Sequence, residues 1–333
     1  MTEIVNRRTS LKMFAAAGIC AASTAQTAPP ATARPSPSGL PEPMETIDLW
    51  PQGAPGMPEN PPEETVVERS TDPELSDRFI NGITRPRMVV FRPSIPNGAA
   101  ILITPGGGYK RVVVDKEGYE LGRWFSARGF TVFALFYRLP GDGWAAGPDV
   151  ALSDAQRAMR IIRNRAGDYG VVPERVAAMG FSAGGHVCAD LATRFATRTY
   201  AAIDDADALS AQPMLAALIY PVISMALPIA HAGSRKLLIG EDASPEFERA
   251  HSPQHNVPSD APPCFLCHAE DDASVVVENS IEFRAALRAQ GIPVEMHLFA
   301  HGGHGFGLRY TVGKPVAAWP DLFVNWSQSM GLI

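Results

Sequence analysis

Gly180-Phe181-Ser182-Ala183-Gly184 is the stretch that decides the fold, because it joins a short apolar run, 175–179, to a helix-like run, 186–193. In a G-x-S-x-G segment the serine stands on a strained strand-to-helix turn, and the glycines remove the Cβ atoms that would collide there. An ordinary glycine-rich loop is the alternative interpretation of the five residues alone. The flanking strand and helix patterns favour a nucleophilic serine at Ser182.

A serine hydroxyl becomes an effective nucleophile only when a base removes its proton and an acid orients that base. Both residue types follow Ser182 in the chain. One apolar run leads into three consecutive carboxylates, Glu270, Asp271 and Asp272. A later apolar run leads into a glycine-rich loop that contains His301 and His304. The residues alone leave the acid open among the three carboxylates and the base open between the two histidines.

Three consecutive glycines precede Tyr109, directly after the apolar run 99–104. Glycines let backbone N–H groups approach a ligand closely, and each such donor to an oxyanion is typically worth roughly 3 to 4 kcal/mol. We expect the amides of Gly107 and Gly108 to form an oxyanion hole with the amide of Ala183, the residue after the serine. A phosphate-binding loop is excluded, because neither a Gly-Lys-Ser/Thr sequence nor a G-x-G-x-x-G spacing with a downstream acid follows.

Eight segments carry colinear motifs: Ile47–Gly56, Pro105–Tyr109, Asp154–Ala158, Gly180–His186, Tyr220–Ser224, His231–Ser234, Val277–Ser280 and Gly302–Leu308. Together they resemble the α/β-hydrolase esterases, and within them the acetylxylan esterase and carbohydrate esterase-like group. The chain order of that fold is Ser, then Asp, then His. The resemblance spans residues 46–333, and it implies an α/β-hydrolase fold for this part of the chain.

The resemblance also implies a role for individual residues. It places the nucleophile on Ser182, the histidine on His304 and the acid on Asp272. The family usually has proline at the position of Val276, two residues after the alanine-serine step that follows the acid. Because of this departure, Asp271 stays open as the alternative acid. Many relatives have His-Gly-Gly-Gly where this chain has Pro-Gly-Gly-Gly, which leaves the amide donors in place because they belong to the glycines.

The activity that the resemblance implies is that of a serine esterase forming an acyl-enzyme, with acetyl groups on xylan or xylo-oligosaccharides as the substrate. A feruloyl or general short-chain carboxylesterase is the alternative. A prolyl-oligopeptidase-type peptidase shares the serine motif, but such enzymes usually carry a large propeller ahead of the hydrolase domain, and too few residues precede the glycine run here. A carbohydrate-binding protein without catalysis is the rival outside the enzymes, and the complete set of triad residues argues against it.

The composition excludes several classes of partner. The 333 residues are 46% hydrophobic and 19% charged, which suits a globular protein with one large α/β domain. A net charge of -6, from 29 basic and 35 acidic residues, provides no basic stripe for nucleic acid and no polybasic patch for a membrane. The composition therefore suggests no charged polymer as partner. The resemblance implies an acylated carbohydrate or another small ester as partner, and we expect no cofactor and no metal.

Residues 1–33 have the form of a twin-arginine signal peptide, with Arg7-Arg8 ahead of the apolar run 13–22. That run is much shorter than the ~20 residues of a transmembrane helix. Residues 34–45 are proline-rich and predict a spacer. The α/β-hydrolase domain is therefore predicted over 46–333, and the protein is expected to be periplasmic or secreted.

Apolar runs recur along the predicted domain, and seven of them predict strands: Met88–Phe91, Ala99–Thr104, Phe130–Tyr137, Val176–Phe181, Leu215–Tyr220, Cys264–His268 and Val294–Phe299. Helical patterns lie between most of them, most clearly at 117–128 and 151–165. The second pattern has an apolar stripe with Arg157, Arg160 and Arg163 away from it. Alternating β and α units predict a mostly parallel sheet with helices on both faces and catalytic loops at the carboxyl ends of the strands.

Aromatic residues near the predicted site loops are candidates for stacking on a sugar ring: Tyr109, Trp144 and Phe306. The alternative is that each packs its own loop onto the domain. Two segments, 138–148 and 222–262, are predicted to be irregular. They either shape the substrate cleft or are solvated connections.

The other histidines and the cysteines have structural interpretations. His186 lies one turn into the helix after the nucleophile and is expected to be a hydrogen-bonded support, and His268 is expected in the core or behind the acid. The H-x-x-H pair of the histidine loop lacks the helix and the H-E-x-x-H spacing of a zinc site. Cys264 and Cys267 lie three apart in a strand, on opposite faces, and are interpreted as buried thiols.

Overall fold

The computed structural model describes residue 43 and residues 45–333. The predicted signal peptide, 1–33, and all of the predicted spacer except residues 43 and 45 lie outside the described residues. The strands in 45–333 are β1 Glu45–Asp48, β2 Thr65–Glu68, β3 Arg78–Asn81, β4 Arg87–Phe91, β5 Ala100–Thr104, β6 Val112–Val113, β7 Thr131–Phe136, β8 Val176–Phe181, β9 Ala216–Ile219, β10 Cys264–Ala269 and β11 Val294–Phe299.

Eight strands of the described region form one sheet, in the order β1-β4-β7-β5-β8-β9-β10-β11. The six strands from β7 to β11 in this order are parallel. Strands β1 and β4 add antiparallel pairs at one edge. In the centre, Ile101 of β5 lies opposite Val132 of β7 and Ala177 of β8. The predicted mostly parallel sheet is confirmed.

The apolar runs explain which strands lie in the middle of this sheet. Every residue of β5, β7, β8 and β10 is buried, as expected for parallel strands that are covered on both faces. Full burial of a large aliphatic or aromatic side chain is worth roughly 1.5 to 3 kcal/mol. Strand β11, at the edge, is only partly buried. The continuous runs therefore fix the centre of the sheet, and the carboxyl ends of its strands meet along one edge.

The helices of residues 45–333 are α1 Glu120–Ser126, α2 Val150–Asn164, α3 Ser182–Arg194, α4 Ala232–Ile239, α5 Pro245–Ala250, α6 Glu278–Ala289 and α7 Trp319–Ser329. A π-helical turn, Asp115–Tyr119, leads directly into α1. Helix α3 packs on β8 and β9, α6 packs on β10 and β11, and α1 packs on β7. These helices cover the sheet and leave the loops at the carboxyl ends of the strands accessible.

All seven predicted strands lie within one residue of the observed bounds. A small antiparallel sheet of β2, β3 and β6 was not predicted. Its strands are only two to four residues long, and Val66 and Val67 of β2 are exposed, so no burial pattern marks them. The segment 222–262, predicted to be irregular, contains α4 and α5. That prediction was wrong, because the two helices have only eight and six residues, too few for a clear helical pattern in the sequence.

The polar side of α2 is partly buried, which also differs from the sequence pattern. Arg157 is 1% exposed and its guanidinium pairs with Asp204, because the segment after α3 folds over this face and supplies acceptors. Asp154 on the same helix is fully buried, and it accepts hydrogen bonds from Arg138 and from the Trp50 indole. Removing one partner of a buried ion pair costs about 3 to 5 kcal/mol. These residues therefore hold the chain around α2 together.

Candidate active site

The predicted nucleophile stands on the turn between β8 and α3. Ser182 is the first residue of α3, and its φ of 53° lies in the left-handed region that non-glycine residues rarely adopt. A Cβ at Gly180 would lie 2.3 Å from the Gly184 carbonyl oxygen, and a Cβ at Gly184 would lie 2.1 Å from the Thr104 carbonyl oxygen. Only glycine fits at either position. The turn is the strained, tightly packed one that the pentapeptide predicts.

The three residues of the predicted triad are hydrogen-bonded in series. Ser182 Oγ lies 2.9 Å from His304 Nε2, and His304 Nδ1 lies 2.7 Å from Asp272 Oδ2. An ionised carboxylate can only accept, so the Nδ1–H of His304 donates to Asp272. The Nε2 atom then carries the lone pair that faces the Ser182 hydroxyl. The geometry suits a serine whose proton is removed by histidine.

Asp272 is buried, and both of its carboxylate oxygens accept hydrogen bonds. Its Oδ1 accepts from the backbone N–H groups of Ser274 and Val275, both at 2.9 Å, and its Oδ2 contacts His304 and His268. Burial alone would raise the pKa of this carboxyl group. The hydrogen bonds from His268, His304 and Val275 outweigh burial and hold the pKa of Asp272 well below its ordinary value. The acid is therefore ionised at neutral pH.

The neighbouring carboxylates point elsewhere. Asp271 Oδ1 accepts from the backbone N–H groups of Gly302 and Gly303, at 2.8 and 2.7 Å. Asp271 thereby holds the backbone of the histidine loop but makes no hydrogen bond to His304. Glu270 is exposed. Among the three candidate acids, the structure places Asp272 against the histidine ring.

His301, the other candidate base, lies on the surface. Its side chain is 81% exposed, and Nδ1 is 3.4 Å from Asp271 Oδ2. The ring of His304 is much less exposed and faces Ser182. The structure thus brings one histidine of the loop to the serine and leaves the other in solvent.

The glycine run lies beside the nucleophile. A Cβ at Gly106 would be 2.9 Å from Ser182 Cβ and 2.7 Å from the Phe181 carbonyl oxygen. Gly107 and Gly108 have φ values of 138° and 67°, which only glycine adopts without strain. The amide of Gly106 donates to Glu117 and is therefore engaged. The oxyanion role of the amides of Gly107, Gly108 and Ala183 stays a prediction, now with the loop positioned next to Ser182.

The three aromatic candidates for sugar binding are corrected by the structure. Tyr109 is 2% exposed and its hydroxyl lies 2.7 Å from His186 Nδ1. Trp144 is 3% exposed, with the Arg138 guanidinium 4.7 Å from its ring centre. Phe306 is fully buried. All three pack their loops onto the domain, because an aromatic ring in a loop gains more from burial against the core than from contact with water.

His186 is the hydrogen-bonded support that its position predicts. Its Nε2–H donates to the His251 carbonyl oxygen at 2.8 Å, which leaves Nδ1 to accept from the Tyr109 hydroxyl. Burial disfavours the charged ring and lowers the pKa of His186 to about 4, although the hydrogen bond to His251 opposes this effect and Arg194 adds to it. The ring is therefore neutral in the folded protein at neutral pH.

The low pKa of His186 predicts a loss of stability in mild acid. In the unfolded chain the ring takes up a proton at its ordinary pKa of 6.5, whereas the folded protein binds that proton only near pH 4. The free energy of unfolding should fall by up to about 3 kcal/mol between these values. Urea unfolding from pH 7 to pH 4.5 measures the slope, which should be shallower in His186→Gln. An equal slope in both proteins would contradict this account.

His231 is a site residue that the sequence did not single out for a role. It precedes α4, and its Nδ1 accepts from the Ser234 backbone N–H at 3.1 Å, so the neutral ring carries its proton on Nε2. The ring carbon Cε1 lies 3.8 Å from the Cβ position of Gly108. Burial and the charge of His304 lower the pKa of His231, against an opposing effect of Asp272. The segment 222–262 thus contributes a neutral histidine at the glycine loop.

His268 has the supporting position that its place in the sequence suggests. The ring is fully buried, and Nε2 lies 3.2 Å from Asp272 Oδ2 and 2.9 Å from the Val275 carbonyl oxygen. Its Nδ1 is 2.8 Å from Ser280 Oγ. His268 therefore presents an N–H to Asp272 Oδ2, the same oxygen that accepts from His304. Only its location at the end of a strand, four residues before Asp272, could have indicated this contact.

The described residues 45–333 contain no group of three or more His, Cys, Asp or Glu side chains arranged to hold a metal ion. Cys188, Cys264 and Cys267 are unpaired and buried, and for Cys264 and Cys267 this agrees with the interpretation from the sequence. Burial raises the pKa of all three thiols, which keeps them protonated. No helix in this part of the chain is long and apolar enough to cross a membrane.

Curated relatives match the domain only in part of their own length. An acetylxylan esterase from Xylanibacter ruminicola is 33% identical over 226 residues, which cover 66% of this chain and 44% of that protein. Endo-1,4-beta-xylanase B from Butyrivibrio fibrisolvens is 36% identical over 227 residues, covering 68% of this chain and 34% of that protein. The match therefore spans less than half the length of either relative.

A solved structure matches over a larger share. The acetyl ester-xyloside bifunctional hydrolase from Caldicellulosiruptor lactoaceticus is 32% identical, with a TM-score of 0.71, and the match covers 89% of this chain and all of that chain. The family model BD-FAE matches residues 93–287, which include the glycine run, Ser182 and Asp272. The fold, the arrangement of the triad and these matches agree, and the chain belongs to the BD-FAE family and has the α/β-hydrolase fold.

Proposed function

We propose that this protein is a serine carboxylic ester hydrolase that works through an acyl-enzyme on Ser182. The observation that carries the proposal is the hydrogen-bonded series Ser182–His304–Asp272, with links of 2.9 and 2.7 Å. The glycine run lies beside Ser182, with the Cβ position of Gly106 2.9 Å from Ser182 Cβ, and we assign the oxyanion to the amides of Gly107, Gly108 and Ala183. Family membership supports the same conclusion.

The mechanism follows from these contacts. Ser182 Oγ attacks the ester carbonyl carbon while His304 Nε2 takes the hydroxyl proton, and the amides of Gly107, Gly108 and Ala183 receive the oxyanion. The tetrahedral intermediate then expels the alcohol, which leaves with the proton from His304. A water molecule, activated by His304 in turn, cleaves the acyl-enzyme and releases the acid. The ionised Asp272 keeps the imidazole in the required tautomer throughout.

For the substrate, we propose acetyl esters on xylan or xylo-oligosaccharides. Support comes from relatives named acetylxylan esterase, endo-1,4-beta-xylanase and acetyl ester-xyloside hydrolase. A feruloyl or general short-chain carboxylesterase is the alternative assignment.

The test is a comparison of kcat/KM on acetylated xylo-oligosaccharides, methyl ferulate and chromogenic esters with acyl chains of two to eight carbons. We expect the highest kcat/KM for acetyl esters and a steep decline of kcat/KM with the length of the acyl chain. Chelation should leave the activity unchanged. A preference for the feruloyl ester, or a flat dependence on chain length, would replace the acetyl assignment by one of the alternatives.

We also propose that the protein is exported through the twin-arginine motif Arg7-Arg8, so that it acts in the periplasm or outside the cell. Replacement of both arginines by lysine should retain the full-length precursor in the cytoplasm. Cell fractionation followed by N-terminal sequencing of the exported protein measures the outcome. Export of the doubly substituted protein at the parent level would overturn this part of the proposal.

A further inference from the structure

Glu117 is a buried carboxylate under the glycine run, and the triad does not use it. It lies in the π-helical turn Asp115–Tyr119, a kind of turn that occurs frequently at functional sites. The residue is 3% exposed. Its Oε2 accepts from the Gly106 N–H at 2.8 Å, and its Oε1 accepts from the Tyr220 hydroxyl at 3.0 Å. Burial of a carboxylate is costly unless the charge is paired and hydrogen-bonded, and these two donors offset part of that cost.

Tyr220 continues this chain of hydrogen bonds to the histidine loop. Its hydroxyl has one proton, which goes to Glu117, and its oxygen accepts from the Gly307 N–H at 3.2 Å. Burial and the charge of Glu117 raise the pKa of Tyr220, so the hydroxyl remains a donor. The tyrosine ring packs edge-on against the His304 ring, with 5.1 Å between the ring centres.

The backbone of Tyr220 is held in an unfavourable conformation. In the described part of the chain, the non-glycine residues with φ between 40° and 60° are Tyr109, Ser182 and Tyr220, and all three surround the site. Such strain costs of order 1 to 3 kcal/mol and persists only where the surrounding contacts impose it. The hydrogen bonds of the Tyr220 hydroxyl with Glu117 and Gly307 are contacts that hold Tyr220 in this conformation.

Glu117 also lies close to the histidine loop itself. A Cβ at Gly305, the residue after His304, would be 3.8 Å from Glu117 Oε1. The Lys116 ammonium group is 3.8 Å from the same oxygen and partly compensates the buried charge. One carboxylate thus contacts the oxyanion loop directly and reaches the loop of the base through Tyr220.

We propose that Glu117 is a positioning residue that fixes the oxyanion glycines relative to His304. It binds the glycine run through the Gly106 amide, and it binds the histidine loop through the Tyr220 hydroxyl and the Gly307 amide. The inference rests on the proposed function, because the two loops need a common frame only if they act on the same reacting carbonyl. Donors placed for the transition state contribute to kcat more than to substrate binding. Loss of the hydrogen bonds that Glu117 makes to Gly106 and Tyr220 should therefore lower kcat and leave KM nearly constant.

The first experiment compares Glu117→Gln, Tyr220→Phe and the double variant. Glu117→Gln keeps the shape but cannot accept at both ends, and we expect kcat to fall about 10- to 100-fold with KM within about threefold. Tyr220→Phe removes one arm and should cost about tenfold. Because Tyr220 acts through Glu117, the double variant should be no slower than Glu117→Gln alone. Additive losses, or a parent-level kcat in Glu117→Gln, would overturn the proposal.

A matched control and a second readout separate this proposal from the proposed function. Glu120→Gln removes a carboxylate three residues away that pairs with Arg309, and it should keep the parent kcat. The rate at which a fluorophosphonate reacts with Ser182 requires the oxyanion loop and His304 but no matching alcohol or acyl group. That rate should fall in Glu117→Gln in parallel with kcat, whatever the natural ester is. Equal phosphonylation rates in Glu117→Gln and the parent would overturn the inference even if the esterase assignment holds.

Discussion

Ser182→Ala should lower kcat by roughly 10⁴ to 10⁶ and leave the fold intact. The effect is large because the hydroxyl lies 2.9 Å from His304 Nε2, and a water molecule in its place lacks the fixed approach to the carbonyl carbon. The backbone contribution of Ser182, the hydrogen bond from the Val222 N–H to its carbonyl oxygen, is unaffected by the substitution. The free energy of unfolding should therefore change by less than about 1 kcal/mol.

The measurement combines turnover of a chromogenic acetyl ester with mass spectrometry of the fluorophosphonate adduct. The parent protein should carry one adduct, on Ser182, and the variant none. Ser327→Ala is the control, because that hydroxyl lies in α7 and donates to the Val324 carbonyl oxygen away from the site. An adduct on another residue, or a Ser182→Ala variant within tenfold of the parent, would remove the proposed mechanism.

Seven of the strands in residues 45–333 were predictable, because most of them are continuous apolar runs. Val176–Phe181 and Val294–Phe299 have the predicted bounds, and the other five differ by one residue at one or both ends. The small sheet was not predictable, because Val66 and Val67 are exposed and β6 has two residues. Pairing between such strands depends on chain segments far apart in sequence, which a local pattern does not record.

The sequence predicted the residue types of the triad, but it did not decide which carboxylate is the acid. The G-x-S-x-G turn fixes Ser182 by local sterics, since glycine is required at Gly180 and Gly184. The choice between Asp271 and Asp272 needs the direction of two side chains on one turn, and sequence spacing cannot provide it. The structure separates them, because Asp271 accepts from backbone amides while Asp272 accepts from His304.

The supporting residues were the least predictable part of the site. Glu117 lies in a segment that has the pattern of an ordinary helix start, and Tyr220 is the last residue of a predicted strand. Their hydrogen bond joins positions 103 residues apart. The prediction that Tyr109 and Trp144 bind a sugar was wrong, because a position near a site loop does not show whether the aromatic ring is exposed to solvent.

Asp272→Asn should lower kcat by about 10⁴, whereas Asp271→Asn should cost less than about tenfold. An asparagine at 272 presents either an N–H or a weaker acceptor to His304 Nδ1. When the N–H faces the ring, the neutral imidazole carries its proton on Nε2, where it cannot accept the proton of Ser182. The buried ring of His268 keeps its second acceptor, the Val275 carbonyl oxygen at 2.9 Å, so the surrounding structure should persist.

Asp271→Asn is the matched control, because the same chemical change is made one residue away. The Asn oxygen can still accept from the Gly302 and Gly303 amides, and this carboxylate makes no hydrogen bond to His304. The comparison uses kcat per phosphonate-titrated site for both variants, together with their free energies of unfolding. If Asp271→Asn is the damaging change and Asp272→Asn is nearly silent, the acid of the active protein is Asp271. The turn after β10 would then have to rearrange during catalysis, because in the structure the 2.7 Å contact with the histidine belongs to Asp272.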